Sequence, residues 1–317
     1  MKSTLGWVCL LASLPAFPAQ PPLHLTIVSH NEEPSARSID YLANRVAYLQ
    51  NRELVRQLAL VIRAKGAQWS FQSDWNFLQA VAAYDTGGVI ENTNGKSILR
   101  WMVEDLGFEV SPHAHESKYN YADVAYLVEQ LGLPRNQVVG GFLYTPADNP
   151  QGWERHEDGI FGVQYPSYFW RANLLWGAAS PGHREDDESY GLWHPKDRNN
   201  FHENSNSRRL AYLGGGCKSN FTGATLDGVQ AYLAAAAKGT LPEDGFFTAT
   251  IMIDQRQLTP SLINNIAAHL DTLRPQVNAG RVVWQTLSHA FADWSTIYGA
   301  RPFRLDCTDM EALGRGN

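Results

Sequence analysis

Two short polar segments carry histidine and glutamate, residue types that bind divalent metal ions. Residues 29–34 read Ser-His-Asn-Glu-Glu-Pro, and residues 111–116 read Ser-Pro-His-Ala-His-Glu. Side chains two residues apart on an extended chain point to the same side. His30 can therefore face the same side as Glu32, and His113 can face the same side as His115. Each segment thus offers a pair of metal-ligating side chains.

If the two segments meet in the fold, three or four nitrogen and oxygen ligands converge on one point. Imidazole and carboxylate ligands suit zinc, or a similar divalent cation, with one position left open for water. Glu33 and Glu116 would then be available as a base or as partners that orient the ligands. The alternative is a polar, hydrogen-bonded rim that holds no metal.

The elements that must position these segments alternate between strand and helix. The strand candidates include residues 25–29, 108–110, 138–143, 246–253 and 282–286. Helical periodicity separates them, as in the apolar positions 124, 127, 128 and 131. This alternation predicts a parallel sheet, and active sites of parallel α/β folds lie at the carboxyl ends of the strands. About seven strand candidates favour a (β/α) barrel over an open sheet.

Residues 145–216 interrupt the alternation. They are rich in Pro, Gly, Asn and Asp, and their periodicity is weak. Long segments of this kind in compact domains are usually functional. We therefore predict one barrel domain over residues 20–317, with an irregular insertion at 145–216 near one rim. Flat aromatic faces suit ligands, so Trp170, Trp193 and the neighbouring His194 are candidate substrate contacts, although a local core explains the aromatic residues equally well.

The first 19 residues have the features of a secretory signal peptide. Lys2 precedes an apolar run at residues 5–14, and the small residues Ala16 and Ala19 follow it. The run is too short to span a bilayer. We predict a secreted or periplasmic protein with no membrane span after the signal is removed. The alternative is an N-terminal core strand that is not cleaved.

The net charge argues against one class of protein, and the cysteines leave two structural alternatives. The 26 Lys+Arg against 32 Asp+Glu give a formal net charge of -6, which argues against an electrostatic nucleic-acid binder. Cys217 and Cys307 remain after the predicted signal is removed. An oxidising compartment permits a disulfide between them, and the alternative is two unrelated buried thiols.

The two polar segments resemble motifs of the polysaccharide deacetylase family, which are metal-dependent carbohydrate esterases on a distorted (β/α) barrel. The family's first motif is a strand that ends Thr-Phe-Asp-Asp-Gly-Pro. Aligned on Pro34, Glu32 takes the place of the family's metal-binding Asp, and Asn31 takes the place of its catalytic base. The family's His-x-x-x-His pair of metal ligands is similar to His113 and His115, which stand at a shorter spacing.

The resemblance extends to the C-terminal part of the chain. Leu287-Ser288-His289 is similar to the family's Leu-x-His, whose His is the general acid, and Asp254 fits the Asp that orients it. The family's Arg-Pro-Pro-x-Gly segment has no counterpart. Because Asn31 cannot accept a proton, Glu33 and Asp254 are the candidate bases.

The resemblance implies a secreted, metal-dependent hydrolase that removes an acetyl group from carbohydrate. The metal would polarise the acyl carbonyl and lower the pKa of its bound water, and His289 would protonate the leaving group. One alternative is a glycoside hydrolase on the same barrel, with Glu32 or Glu33 paired with Asp254. Another is a sugar-binding protein whose site is catalytically silent.

Overall fold

The computed structural model describes residues 20–147, 149–177, 187–220 and 225–315, so the predicted signal peptide lies outside the described residues. The strands are β1 (Leu23–His30), β2 (Trp69–Ser73), β3 (Glu109–Pro112), β4 (Val138–Gly140), β5 (Ile160–Phe161), β6 (Phe169–Trp170), β7 (Leu174–Trp176), β8 (Ser189–Trp193), β9 (Ala211–Gly215), β10 (Ser219–Asn220), β11 (Thr225–Leu226), β12 (Phe247–Asp254), β13 (Val282–Trp284) and β14 (Leu305–Asp306). The α-helices are α1 (Arg45–Ala64), α2 (Trp75–Tyr84), α3 (Ile98–Glu104), α4 (Tyr121–Gln130), α5 (Arg155–Asp158), α6 (Asp227–Lys238), α7 (Pro260–Asn278), α8 (Leu287–Thr296) and α9 (Cys307–Arg315). None of the described helices is both long and apolar enough to cross a membrane.

β1 is the central strand of the main parallel sheet. It pairs along its whole length with β12, so that His30 at its end lies opposite Asp254. On its other side, β13 pairs with the first part of β1 and β2 pairs with the last part. β3 then pairs in parallel with β2. The order β12-β1-β2-β3 brings the ends of β1 and β3 to one edge of the sheet.

A second run of parallel strands, β4-β7-β9, continues the curve of the first. A parallel bridge between His113 and Gly140 joins β3 to β4. On the far side, the hydroxyl of Thr248 on β12 donates to the Gly214 carbonyl of β9 at 2.7 Å. β12, β1, β2, β3, β4, β7 and β9 therefore follow one another around a ring that side-chain hydrogen bonds complete. The predicted α/β fold with about seven parallel strands is confirmed.

The segment 145–216 contributes more to this ring than its sequence indicates. Besides its irregular stretches, it supplies β7 and β9, which pair with each other in parallel. β7 is three residues long and buried throughout, and β9 reads Ala-Tyr-Leu-Gly-Gly. Neither has the alternation of apolar and polar residues that reveals a strand with one face in water.

One end of the ring is closed by α8. Val28 of β1, Trp176 of β7 and Met252 of β12 belong to one buried apolar cluster, together with Leu287 and Trp294 of α8. His30 lies two residues beyond Val28 and therefore points to the same side of β1. Apolar side chains therefore fill the ring on the side of α8. His30 lies at the opposite side, where the parallel strands end.

A buried ion pair ties α1 to the loop after α2, outside the ring. Arg52 Nε lies 2.7 Å from Asp85 Oδ1, and both side chains are almost completely buried. The Tyr48 hydroxyl donates to the same carboxylate oxygen at 2.6 Å. Removing one donor would leave the buried carboxylate of Asp85 with an unsatisfied hydrogen bond. Even a small substitution in this network should therefore lower the stability of the fold.

We expect Tyr48→Phe to lower the free energy of unfolding by about 1.5–3 kcal/mol, since a hydrogen bond to a charged group is lost. Tyr84→Phe is the matched comparison, because the Tyr84 hydroxyl donates to a neutral acceptor, the Leu42 carbonyl, at 2.6 Å. That change should cost about 1 kcal/mol. Urea unfolding of both variants measures the difference, and equal losses would argue against the network.

A disulfide joins Cys217 after β9 to Cys307 at the start of α9. Their Cα atoms are 5.4 Å apart and 90 residues separate them in sequence. Of the two alternatives that the sequence leaves open, the structure contains the disulfide. The disulfide links the start of α9 to the segment directly after β9.

Candidate metal centre

Polar residues converge where β1, β2, β3, β4 and β12 end, and we call this rim the ligand edge. His30 ends β1, and Glu32 follows it after Asn31. His113 directly follows β3, and its backbone N–H donates to the Ser73 carbonyl at the end of β2. The two polar segments that the sequence singles out therefore meet, as the parallel alternation predicts.

His30, Glu32 and His113 form a group suited to a metal ion. One ligand atom from each residue lies within 4.8 Å of the others. The rings of His30 and His113 are stacked with their centroids 4.1 Å apart. Two imidazoles and one carboxylate are the donor set of many three-ligand zinc sites, which leave a fourth position open.

The hydrogen bonds of His113 orient its free nitrogen toward Glu32. Its Nδ1–H donates to the Gly140 carbonyl at 2.8 Å, so Nε2 is the nitrogen that faces Glu32. That nitrogen lies 3.4 Å from Glu32 Oε2. A proton on Nε2 gives a hydrogen bond to Glu32, and a metal cation between the two atoms can take the place of that proton. This arrangement therefore fits a bound cation, and the carbonyl plays the orienting role that ligating histidines commonly need.

His30 is held in its neutral form. Burial lowers its pKa well below the usual value, and the neighbouring His113 lowers it further. Its Nε2 lies 2.5 Å from Gln72 Oε1, so Nε2 donates and Nδ1 keeps the lone pair. A neutral imidazole with a fixed tautomer is the form that binds a metal.

His115 contacts the same carboxylate from the solvent side. Its Nε2 lies 2.6 Å from Glu32 Oε2, and its side chain is 53% exposed. The hydrogen bond with Glu32 raises the pKa of His115. Burial alone would raise the pKa of Glu32, but the bonds from His113 and His115 outweigh it and hold that pKa well below the usual range. Among the described residues, the three-ligand group does not include His115, whose role as a ligand stays a prediction.

Gly141 lets the backbone after β4 approach both ligand rings. A Cβ atom at this position would lie 2.5 Å from His30 Cε1 and 2.8 Å from His113 Nδ1. Its φ of +73° is also one that glycine adopts readily and other residues rarely do. The pair of histidines can therefore stack only beneath a residue without a side chain.

Gly141→Ala should displace both rings and weaken metal binding by about 10–100-fold, the range typical of lost orienting contacts. Competition with a chromophoric chelator measures the change in affinity. Gly107→Ala is a control, because φ is also positive there at +73° but nothing lies within 4 Å of the added Cβ atom. Equal losses in both variants would show that backbone strain, and not the histidines, is responsible.

The other predicted carboxylates lie around the ligand edge with different partners. Glu33 accepts a hydrogen bond from the Ser117 hydroxyl, and Glu116 is paired with Arg155. Asp254 ends β12 opposite His30, and Arg256 donates to both of its oxygens, at 2.9 and 3.0 Å. Both oxygens of Asp254 are therefore already hydrogen-bonded to a neighbouring side chain.

His289 is not brought to the ligand edge. It lines a cavity of about 210 Å³ together with Phe108 and Glu109, at the beginning of β3. The neighbouring N–H of Ser288 donates to Glu109 at 2.9 Å. His113 follows the other end of the same strand, about 13 Å away at the rise of an extended chain. The structure therefore does not support a shared site for His289 and the metal ligands.

The predicted substrate contacts in the segment 145–216 are mostly core residues. Trp170 and Trp193 are 0% and 1% exposed, so neither offers a face to a sugar. Their indole N–H groups donate to the backbone carbonyls of Asn136 and Phe201. The substrate role predicted for them is not supported, because a ligand cannot reach them without opening the core. His194 is partly exposed and packs beside the ring of Trp294.

The structure adds one group that the sequence motifs miss. Asp74 directly follows β2, between the ends of β1 and β3, and is 1% exposed. Its Oδ1 accepts the Phe77 N–H at 3.2 Å and so caps α2. The sequence signals this cap, because an Asp before an apolar helix is a common helix start. Its place beside the metal ligands follows only from the strand order.

Comparison with known proteins rests on structure alone. No protein-family model matches the chain, and no curated protein matches its sequence significantly. A putative glycoside hydrolase/deacetylase from Parabacteroides distasonis aligns with a TM-score of 0.53 and 10% identity, over 88% of this chain and 72% of that one. A probable polysaccharide deacetylase from Pseudomonas aeruginosa PAO1 aligns with a TM-score of 0.53 and 11% identity, over 86% and 91%.

PuuE allantoinase also aligns, with a TM-score of 0.53 and 12% identity, over 88% of this chain and 92% of that one. Identities this low show a common fold and not a common activity. The deacetylase-like fold indicated by the sequence motifs is thereby confirmed.

Proposed function

We propose that the protein is an exported, metal-dependent carbohydrate hydrolase that removes acetyl groups. The observation that carries this proposal is the convergence of His30, Glu32 and His113 at the carboxyl ends of β1 and β3. A parallel α/β ring places its reactive groups at this rim. Structural neighbours described as deacetylases support the reaction type, and the predicted signal peptide supports export.

Zinc is the metal that we propose for the site. Two imidazole nitrogens with one carboxylate oxygen suit it better than magnesium or calcium, which prefer oxygen ligands. When bound, the ion would polarise the acyl carbonyl and lower the pKa of water.

The chain's own residues prepare the site for this ion. Gln72 and the Gly140 carbonyl fix which nitrogen of each buried histidine carries the proton. The bonds to Glu32 keep that carboxylate ionised, so it presents a negative charge at neutral pH. Two oriented imidazole rings and one carboxylate anion therefore face the same point.

A cavity beside the ligand edge offers space for a substrate. It measures about 280 Å³, and its lining includes His115, Phe142, Arg155 and Asn149. Mixed polar and aromatic linings suit sugars, whose rings have apolar faces and polar edges. Because His115 belongs to both the cavity wall and the Glu32 contact, a sugar in the cavity would lie next to the metal ligands.

Product analysis tests the proposal. Metal-loaded protein is incubated with an N-acetylated glucosamine oligomer and with an O-acetylated xylose oligomer. We expect acetate release from at least one of them without new reducing ends. Reducing ends without acetate would indicate the glycoside hydrolase alternative, and binding without either product would indicate a sugar-binding protein.

A further inference from the structure

The deacetylation proposed above needs a proton acceptor, and the sequence motif does not supply one. Asn31 stands where a base is expected, but an amide does not accept a proton at neutral pH. Asp254 is held by Arg256 and also accepts from Gln257 at 3.1 Å. Glu33 remains as one candidate from β1. A second candidate lies on the neighbouring strand.

Asp74 lies at the centre of the ligand edge by virtue of the strand order. β2 runs between β1 and β3, and its last residues contact a ligand on each side. Gln72 binds the His30 ring, and the Ser73 carbonyl accepts the His113 N–H at 2.9 Å. Asp74 is the next residue along the chain, so it emerges between the two ligand segments.

The two carboxylate oxygens of Asp74 have different surroundings. Oδ1 caps α2 through the Phe77 N–H. Oδ2 is buried and has no hydrogen-bond partner among the described residues. A buried carboxylate oxygen without a donor is unfavourable, and functional sites are where such groups occur. The helix cap fixes the carboxyl group, so Oδ2 stays at one position.

We propose that Asp74 is the base that takes a proton from the attacking water, in place of the carboxylate missing at position 31. The assignment rests on the proposed hydrolytic function. It requires that Oδ2 faces the water beside the metal ligands, which the position of Asp74 between His30 and His113 supports.

The surroundings of Asp74 adjust its proton affinity to this task. Burial raises the pKa of its carboxyl, the helix-cap hydrogen bonds lower it, and the charges of Glu33 and Glu32 raise it, with a result of about 7. His115 and Tyr41 are the other titratable groups whose charge it senses. A base is most effective when its pKa lies close to the working pH.

The proton balance closes with Asp74 alone. The water oxygen bonds to the acyl carbon as one water proton passes to Asp74 Oδ2. The bond from the acyl carbon to the sugar oxygen or nitrogen then breaks, and Asp74 returns the proton to that leaving atom. Acetylated sugar and water become acetic acid and a free hydroxyl or amine, and Asp74 is again ionised. No group at the position of His289 is required.

Asp74→Asn tests this role with little disturbance, because Asn also caps helices well. The variant should keep its metal content and its far-UV circular dichroism, and should lose about 100–10,000-fold in kcat/KM, the range for a general base. Glu33→Gln tests the rival base: it leaves Asp74 in place and should keep a rise of activity with pH, moved to lower pH because a charge that raises the Asp74 pKa is gone, whereas Asp74→Asn should lose the rise.

A second readout needs neither metal nor substrate. Because the folded-state pKa of about 7 lies above the usual 3.8, Asp74 binds its proton more tightly when the protein is folded. Its contribution to stability is therefore present below about pH 4 and is lost as the pH rises toward 7. Metal-free Asp74→Asn should lack this loss, and metal-free Glu33→Gln should show it at a lower pH, because the charge of Glu33 no longer raises the Asp74 pKa.

The outcomes separate the two proposals. Activity of Asp74→Asn equal to wild type, or complete loss of the pH-dependent transition in Glu33→Gln alone, would overturn the assignment of the base and leave the hydrolytic function standing. A wild-type protein that releases no acetate from either oligomer would overturn the function, and the base assignment with it. An unchanged stability profile in Asp74→Asn would show that the proton affinity of Asp74 is ordinary and would also overturn the assignment.

Discussion

His113→Ala is expected to abolish stoichiometric metal binding. Wild-type protein loaded with zinc should hold about one equivalent after desalting, whereas the variant should hold close to none. The His113 ring supplies one of the three ligands grouped in the described part of the chain, and its Nε2 faces Glu32. Without it the ion would keep two ligands and be open to water. We expect at least about a 100-fold loss in affinity, more than the loss of an orienting contact causes.

Related variants sort the roles of the remaining residues. His30→Ala and Glu32→Ala should lose metal as His113→Ala does, because they belong to the same group. His115→Ala should lose less if its contact with Glu32 is its main role. His289→Ala is the control and should keep full metal, since it lies at the other end of β3. Full metal in both Glu32→Ala and His113→Ala would refute the site.

Removing the disulfide should have the largest effect on stability. Replacement of both Cys217 and Cys307 by serine opens a loop closed across 90 residues. In the chain-entropy model this lowers the free energy of unfolding by about 4–5 kcal/mol. Urea unfolding under non-reducing conditions measures the difference from wild type.

A matched measurement on reduced wild-type protein controls for the serine substitutions. If the crosslink is responsible, reduced wild type and the double variant should unfold at the same urea concentration. If the oxidised protein and the double variant unfold together, the disulfide does not stabilise the fold.

The residues at the ends of β1 and β3 were predictable because histidine and glutamate cluster directly after two candidate strands. His30 ends β1 with Glu32 two residues later, and His113 directly follows β3. In a parallel sheet, consecutive strand ends lie on the same side. The meeting of His30 and Glu32 with His113 follows from these two facts.

The location of His289 depends on the pairing register of β13, which the order of strands along the chain does not reveal. His289 follows β13, as a catalytic histidine would, but β13 pairs only with the first three residues of β1, from Leu23 to Leu25. β13 therefore ends near the beginning of β1, and α8 starts there and covers that end of the ring. Pairing registers of this kind depend on contacts distant in sequence, so the local pattern does not contain them.

Asp74 and the short strands β7 and β9 were missed for different physical reasons. The helix cap of Asp74 explains its presence fully, so nothing local indicates a second role. β7 and β9 are short, buried and bounded by glycine, and they gain their identity only by pairing with neighbours in the ring. Conversely, Trp170 and Trp193 suggested a sugar surface because the sequence does not reveal which aromatic residues are buried.

Acetate release by the same protein before and after metal removal tests the central claim most directly. The wild type is stripped with a chelator, dialysed and assayed on the acetylated oligomers, then reloaded with one equivalent of zinc. The account predicts that stripping abolishes acetate release and that reloading restores it. Acetate release that is unchanged in the stripped protein, or absent in protein that holds one equivalent of zinc, would contradict it.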